Sequence, residues 1–268
     1  MRQTVLPEPS RLFSLQPEGI VTGATESLAS YAMRLAEAHC LDVSSLIHRF
    51  IQPLIGSEWK DTPARKGFGK MDKVYKHTVT PAHVHMGKWI DMGEETRATV
   101  AALSKLTKRE NLRLLTLIPL SGYVSSDTIL RYQRAWCPCC YEDQKCTGKP
   151  IHDLLLWSFR DVCVCPYHEQ RLRSACNWCG AKQPILKYWS QPGYCMKCGL
   201  WLGREDNRHG RIDGQDLWKA NAVAKVIGSW AGLPSRETKT ARSIQSLLSK
   251  SYVNNTFRAR GIIKGLLP

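Results

Sequence analysis

Apolar residues recur at helical spacing through the first part of the chain and lose that order in the middle. Leu28, Tyr31, Ala32, Leu35 and Ala36 share one face of a helix opened at Thr25 or Glu26. Beyond Cys40-Leu41-Asp42-Val43, Ser44 is placed as the N-cap of a second, short helix that carries Leu46, Ile47 and Phe50 and ends at Pro53. Two amphipathic helices joined by a short turn fit a helix-turn-helix and fit a plain helical hairpin as well; the pattern leaves both readings open. A third helix over Thr96 to Lys105 turns Val100, Leu103 and Leu106 inward, and another begins near Arg109, with Leu112, Leu115 and Ile118 ahead of the Pro119 break. Residues 1–25, with Pro7, Pro9 and Pro17, read as an extended segment laid on the body of the protein. Late in the chain, Asp213 or Asp216 opens a helix bearing Leu217, Ala220, Val223, Ala224 and Ile227, stopped near Gly232-Leu233-Pro234, and a last helix covers Thr240 to Ser249.

From about residue 135 to 202 the periodicity gives way to four chelating pairs. Cys137-x2-Cys140 and Cys165-x2-His168 form one set, and Cys176-x2-Cys179 and Cys195-x2-Cys198 form the other. Two ligands separated by two residues sit on one tight knuckle, and two knuckles complete a tetrahedron around zinc. The first set is three cysteines and a histidine, the second all cysteine. Neither leaves an open coordination position, so both ions are structural rather than catalytic. Gly180 and Gly199, each directly after a pair, let the chain turn under the sulfurs. In the first set Cys137-Pro138-Cys139-Cys140 offers three sulfurs and Cys163 lies near; knuckle geometry favours Cys137 and Cys140. The apolar run Leu154-Leu155-Leu156-Trp157 between its two pairs reads as a strand or helix packed beside the metal.

Disulfides are the competing use of these cysteines. Dense disulfide frameworks belong to small secreted chains, whereas this one has 268 residues and no signal-peptide stretch over residues 1–20. The energies favour metal too: a structural zinc contributes about 10–16 kcal/mol to a small site, a disulfide about 2–4 kcal/mol. Of eleven cysteines, Cys40, Cys139, Cys146 and Cys163 have no ligand role. Free thiols point to a reducing cytoplasm.

Charge narrows the class of partner. The chain carries 38 Lys+Arg against 23 Asp+Glu, a net +15. That excess calls for a polyanion, and no apolar span of roughly 20 residues offers a membrane as the alternative. Basic residues gather over Lys60 to Lys76, at Lys105, Lys108, Arg109 and Arg113, and at Arg131 and Arg134, which lead with Tyr132 and Trp136 into the first knuckle. The tail from Gly199 to Pro268 holds twelve Lys+Arg and five acids.

Enzyme motifs are absent where they would be expected. A phosphate-binding loop needs Ser or Thr after Gly-Lys, but the Gly-Lys pairs are followed by Met71, Trp89 and Pro150. A zinc deaminase needs His-x-Glu, but His168 precedes Glu169 directly and belongs to a closed ligand set.

The motifs together resemble a known family. Leu6-Pro7, then Glu26-Ser27-Leu28-Ala29-Ser30-Tyr31-x2-Arg34-Leu35-Ala36, then Trp136-Cys137-Pro138-x-Cys140, and finally Leu156-Trp157-x7-Cys165-Pro166-x-His168-x3-Leu172-x3-Cys176-x2-Cys179-Gly180 look like the TniQ family, which includes TnsD. The likeness covers residues 6 to 202. It implies a non-enzymatic adaptor that selects targets for a transposon, linking target DNA or an RNA-guided CRISPR effector complex to the AAA+ regulator TnsC. It implies the eight ligands as zinc ligands and strengthens the helix-turn-helix reading of residues 26–52. Lys108, Arg109, Arg113, Arg131 and Arg134 are the expected polyanion contacts. Tyr132 or Trp136 either stacks on an unpaired base or packs against the zinc module. A stand-alone DNA-binding protein, an attachment-site reader or transcription regulator, is the rival reading.

The expected architecture is mostly α with small zinc-ribbon modules. Residues 1–130 form a helical domain with a helix-turn-helix-like element, residues 131–202 two tandem zinc-binding modules with two zinc ions, and residues 203–268 a basic helical region.

Overall fold

The computed structural model describes residues 9–55, 89–121, 129–203 and 212–230. The expectations for Leu6-Pro7, the basic stretch Lys60 to Lys76, the stop near Gly232-Leu233-Pro234 and the helix over Thr240 to Ser249 lie outside these residues.

Helix α1 (Leu28–Ala38) begins two or three residues later than the expected Thr25 or Glu26, because Glu26 is extended and bridges Leu154 in antiparallel fashion. Ser27 is its N-cap, the hydroxyl accepting from the Ser30 amide at 3.2 Å. Every residue from Leu28 to Ala36 is buried, Ser30 and Arg34 included, so α1 is a central helix rather than an amphipathic one. A short turn leads to α2 (Val43–Leu46), capped by Asp42 rather than Ser44: the Asp42 carboxylate accepts from the Ser45 amide at 2.9 Å. The helix then runs as a π segment (Ile47–Ile51) into α3 (Gln52–Ile55), and Pro53 does not end it. In the widened turn the Gln52 amide bonds the Ile47 carbonyl five residues back, and proline enters just after it, where a missing N–H breaks little.

Helix α4 (Glu94–Thr107) buries Val100, Leu103 and Leu106 as its period demands, carries Glu94 and Glu95 at its positive end, and stops at Lys108 in the left-handed region. The helix expected from Arg109 is instead two 3-10 turns, Asn111–Leu115 and Ile118–Leu120. Leu112 and Leu115 are buried as expected. The helix is interrupted between them because the Thr116 hydroxyl accepts from the Ile118 amide, and Pro119 follows.

The extended segment before α1 does lie on the body. Leu12 bonds the Leu106 carbonyl through its amide at 3.0 Å, Leu15 accepts from the Tyr31 hydroxyl at 3.1 Å, and the Arg109 guanidinium donates to the Ser14 carbonyl. Past residue 129 come α5 (Pro138–Cys146), a 3-10 turn (Leu155–Ser158), a hairpin of β1 (Val164–Cys165) and β2 (Gln170–Arg171), and α6 (Gly214–Gly228), capped by Asp213. One hydrophobic core joins α1 and α4 to Trp136, Leu154–Trp157, the first-site cysteines and Ala220 and Ile227 of α6. No helix among the described residues is long and apolar enough to cross a membrane.

Candidate metal centres

The ligand pairs meet as their spacing requires. Cys137 and Cys140 come from the start of α5, Cys165 from β1, and His168 from the hairpin turn. Within each set the four ligand atoms lie within 4.8 Å of one another. Zinc–sulfur bonds of about 2.3 Å give a tetrahedron with S···S edges of about 3.8 Å and S···N edges of about 3.6 Å. In the first site Cys140 and Cys165 are 3.6 Å apart, and His168 Nδ1 lies 3.6, 3.3 and 3.6 Å from Cys137, Cys140 and Cys165. In the second, Cys176–Cys198 and Cys179–Cys195 are each 3.7 Å apart. The donor sets fit two structural zinc ions, each clamping chain segments that are distant in sequence. All eleven cysteines are unbridged, and Cys139 stays out of the first site.

The sulfurs need a cation. Hydrogen bonds from Cys140 and Cys165 hold the Cys137 thiol far down, as a thiolate, while the same contacts push Cys140 up. Three thiols at this spacing ionise together only around a metal. Polar neighbours support the thiolates: Gln170 Nε2 donates to Cys137 Sγ at 3.0 Å, and Gln183 Nε2 to Cys195 Sγ at 3.2 Å. Asp143 Oδ2 lies 2.7 Å from His168 Nε2, which fixes the ring with Nδ1 towards the metal. The sequence carried a signal for Asp143, three residues past Cys140 on one helix face, but none for Gln170 or Gln183. Gly180 and Gly199 take φ of +67° and +70°, the turn under the sulfurs their positions suggested.

The five expected polyanion contacts divide. Arg134 is corrected outright: it is 5 % exposed and spends its guanidinium on Asp153. Nη2 donates to Asp153 Oδ1 at 2.8 Å, Nε lies 2.7 Å from Oδ2, and Nη2 also reaches the Tyr141 hydroxyl at 2.8 Å. Burial works against its charge, but Asp153 outweighs it and the pKa is raised. Arg131 is a structural clamp as well, its guanidinium donating to the Phe159 and Val162 carbonyls at 2.8 and 2.5 Å. Arg109 is engaged with Ser14, whereas Lys108 and Arg113 are exposed at the end of α4 and just beyond. Trp136 packs, buried, with Nε1 donating to the Leu202 carbonyl, while Tyr132 is 79 % exposed with Arg160 over its ring.

A buried polar chain ties α1 to the first metal module. Arg34 pairs with Glu26 and Glu18, and Glu26 accepts from the Ser30 hydroxyl. The Ser30 oxygen in turn accepts from the Asp153 amide, and Asp153 holds Tyr141 and Arg134. Glu26, Ser30 and Arg34 belong to the Glu26 to Ala36 motif, and through Ser30 they reach Asp153 across the fold. A family model described as TniQ matches residues 17–172, more than half of the chain. The chain belongs to the TniQ family. Membership implies a role in target selection for DNA transposition. The TniQ match takes in α1 to the β1–β2 hairpin and the whole first zinc site, and it ends at Leu172, before Cys176 opens the second. No curated protein matches the chain.

Proposed function

We propose that this TniQ protein is a non-enzymatic adaptor that links target DNA, or an RNA-guided CRISPR effector complex, to the AAA+ regulator TnsC in the cytoplasm. The observation that carries the reading is the family match over residues 17–172, where Glu26, Arg34, Arg134 and Asp153 are spent on internal structure. Glu26, Arg34, Asp153 and Arg134 form buried pairs, and the eight metal ligands form closed sets, which is the chemistry of a rigid scaffold rather than of a reaction. Affinity for the nucleic acid of the complex comes from exposed cations, with Lys108 and Arg113 the members of the expected set that remain at the surface. The N-terminal unit, the tandem zinc modules and the basic tail divide positioning and docking among them.

A pull-down of purified TnsC, run beside competition binding to a duplex at fixed salt, tests this. Capture of TnsC with weak, sequence-blind duplex binding supports the adaptor. A preference of about 10³-fold for one duplex, without TnsC capture, supports an independent site reader and rejects it.

A further inference from the structure

From Gln170 to Gly203 the chain carries Arg171, Arg173, Lys182, Lys187 and Lys197 and no aspartate or glutamate. Four thiolates and one zinc ion together bring about two negative charges, so the second zinc module stays positive. The same module exposes large apolar side chains, Trp178 at 51 % and Trp189 at 75 %. Trp178 lies on the first knuckle, between Cys176 and Cys179, and Lys197 lies on the second, between Cys195 and Cys198. Because all four sulfurs sit within 4.8 Å, the tips of both knuckles flank one ion. The loop bearing Trp189 rests on the second knuckle, with Ser190 Oγ 3.1 Å from Met196 Sδ and Gln183 Oε1 accepting from the Met196 amide at 2.8 Å.

Exposed indoles on a segment that carries lysines and no acid complement a polyanion that has open π faces of its own. A duplex hides the faces of its bases, and a single strand offers them. The residues next to the two indoles are amides as well: Asn177 precedes Trp178, and Gln191 lies two past Trp189, both exposed. Amides can bond a ribose 2′-hydroxyl, which DNA lacks. We propose that the second zinc module is a docking surface for single-stranded RNA. Bases stack on Trp178 and Trp189, Lys182, Lys187 and Lys197 meet phosphates, and Asn177 and Gln191 meet ribose. The surface lies beyond the family match, and its test does not pass through TnsC, so it stands or falls apart from the adaptor reading.

Fluorescence anisotropy of the full-length, zinc-loaded protein is measured at one salt concentration with labelled oligo(U) of about 20 nucleotides, oligo(dU) of the same length and a duplex. Oligo(U) binds tightest. Trp178→Ala and Trp189→Ala each weaken it about fivefold or more, and Trp178→Phe keeps most of the affinity. Lys197→Glu, which leaves both rings in place, reads the same surface through charge and weakens binding as well. Phe13→Ala, an exposed aromatic ring on the N-terminal segment, changes nothing. Each variant is checked for two zinc ions per chain. Equal binding of oligo(dU) or duplex overturns the proposal, as do unchanged affinities in zinc-replete Trp178 and Trp189 variants, or no binding of oligo(U) by the wild type.

Discussion

Arg34 Nη1 lies 2.6 Å from Glu26 Oε2, and both side chains are out of solvent. The pair sits where the extended entry to α1 meets the start of the metal modules, and Ser30 passes the contact on to the Asp153 backbone. A buried ion pair recovers its desolvation only when the remaining polar atoms are also bonded, and here Glu18, Ser30 and the Glu18 amide do that. The pair therefore fixes how α1 docks.

Glu26 makes stability depend on pH. Burial raises its pKa from 4.5 to about 7, against the lowering effect of Arg34. The folded chain then holds a proton that the unfolded chain has released, so this group's contribution is full below 4.5 and is lost as pH rises towards 7. Relative to Glu26→Gln, the wild type should lose about 2 kcal/mol between pH 5.5 and 7.5. Urea denaturation of both proteins at the two pH values, in excess zinc, measures the gap. A gap that stays constant, or that grows in the wild type's favour, rejects the assignment.

Arg134 should matter for folding and not for nucleic acid. Arg134→Ala leaves Asp153 and Tyr141 buried without their cation, which costs about 3–5 kcal/mol. Lysine restores little, because one ammonium cannot span both Asp153 oxygens and the Tyr141 hydroxyl. The expected result is a lowered unfolding midpoint for both variants with unchanged polyanion affinity in the fraction that folds. A stable Arg134→Ala protein with weakened binding would restore the surface role.

Arg134 also shows where sequence reading reaches its limit. Ligand pairs are legible because metal geometry imposes a local spacing, and Cys137, Cys140, Cys165, His168 and the second set meet as that spacing requires. The helices α1, α4 and α6 were legible through their period; Asp213 is the cap as one of its two expected starts, while Ser27 and Asp42 cap one or two residues from theirs. A basic residue carries no such local mark. Arg131 and Arg134 look like surface charge until Phe159, Val162 and Asp153, some 20 to 30 residues away, turn out to be their partners. Pro53 misled for a related reason, since a π turn that admits proline depends on tertiary packing of Ile47 and Ile51.

The two metal sites should fail differently. All three cysteines of the first belong to the core, whereas in the second Cys176 and Cys195 do and Cys198 is exposed. Cys165→Ala is expected to lose helical circular dichroism along with its zinc. Cys198→Ala should lose one zinc ion by elemental analysis and keep the helical signal. A milder lesion separates geometry from fold at the first site: Asp143→Ala leaves all four ligands but frees the His168 ring, and should weaken one of the two zinc ions about 10–100-fold in competition with a chromogenic chelator. Equal retention of both ions by that variant would show that Asp143 does not orient the ligand.

Helix α6 lies outside the family match and is nonetheless built into the same core, which gives Gly23 a role the sequence alone did not reveal. A Cβ at Gly23 would sit 2.7 Å from Ala224 Cβ, 2.8 Å from the Tyr167 hydroxyl and 2.9 Å from the Ala224 carbonyl. The Ala224 carbonyl is helix backbone and cannot swing aside, so relief requires α6 to move away from residues 22–25. Those residues are themselves held by Thr25, whose carbonyl accepts from the Leu155 amide at 2.8 Å beside the first metal module. Gly23→Ala should therefore cost about 1–3 kcal/mol, and the loss should appear as release of α6 before global unfolding. Limited proteolysis reads this directly: cleavage within Gly214–Gly228 should accelerate in the variant while residues 28–55 stay protected. Cleavage at the wild-type rate would mean that the glycine is not needed for α6 to pack.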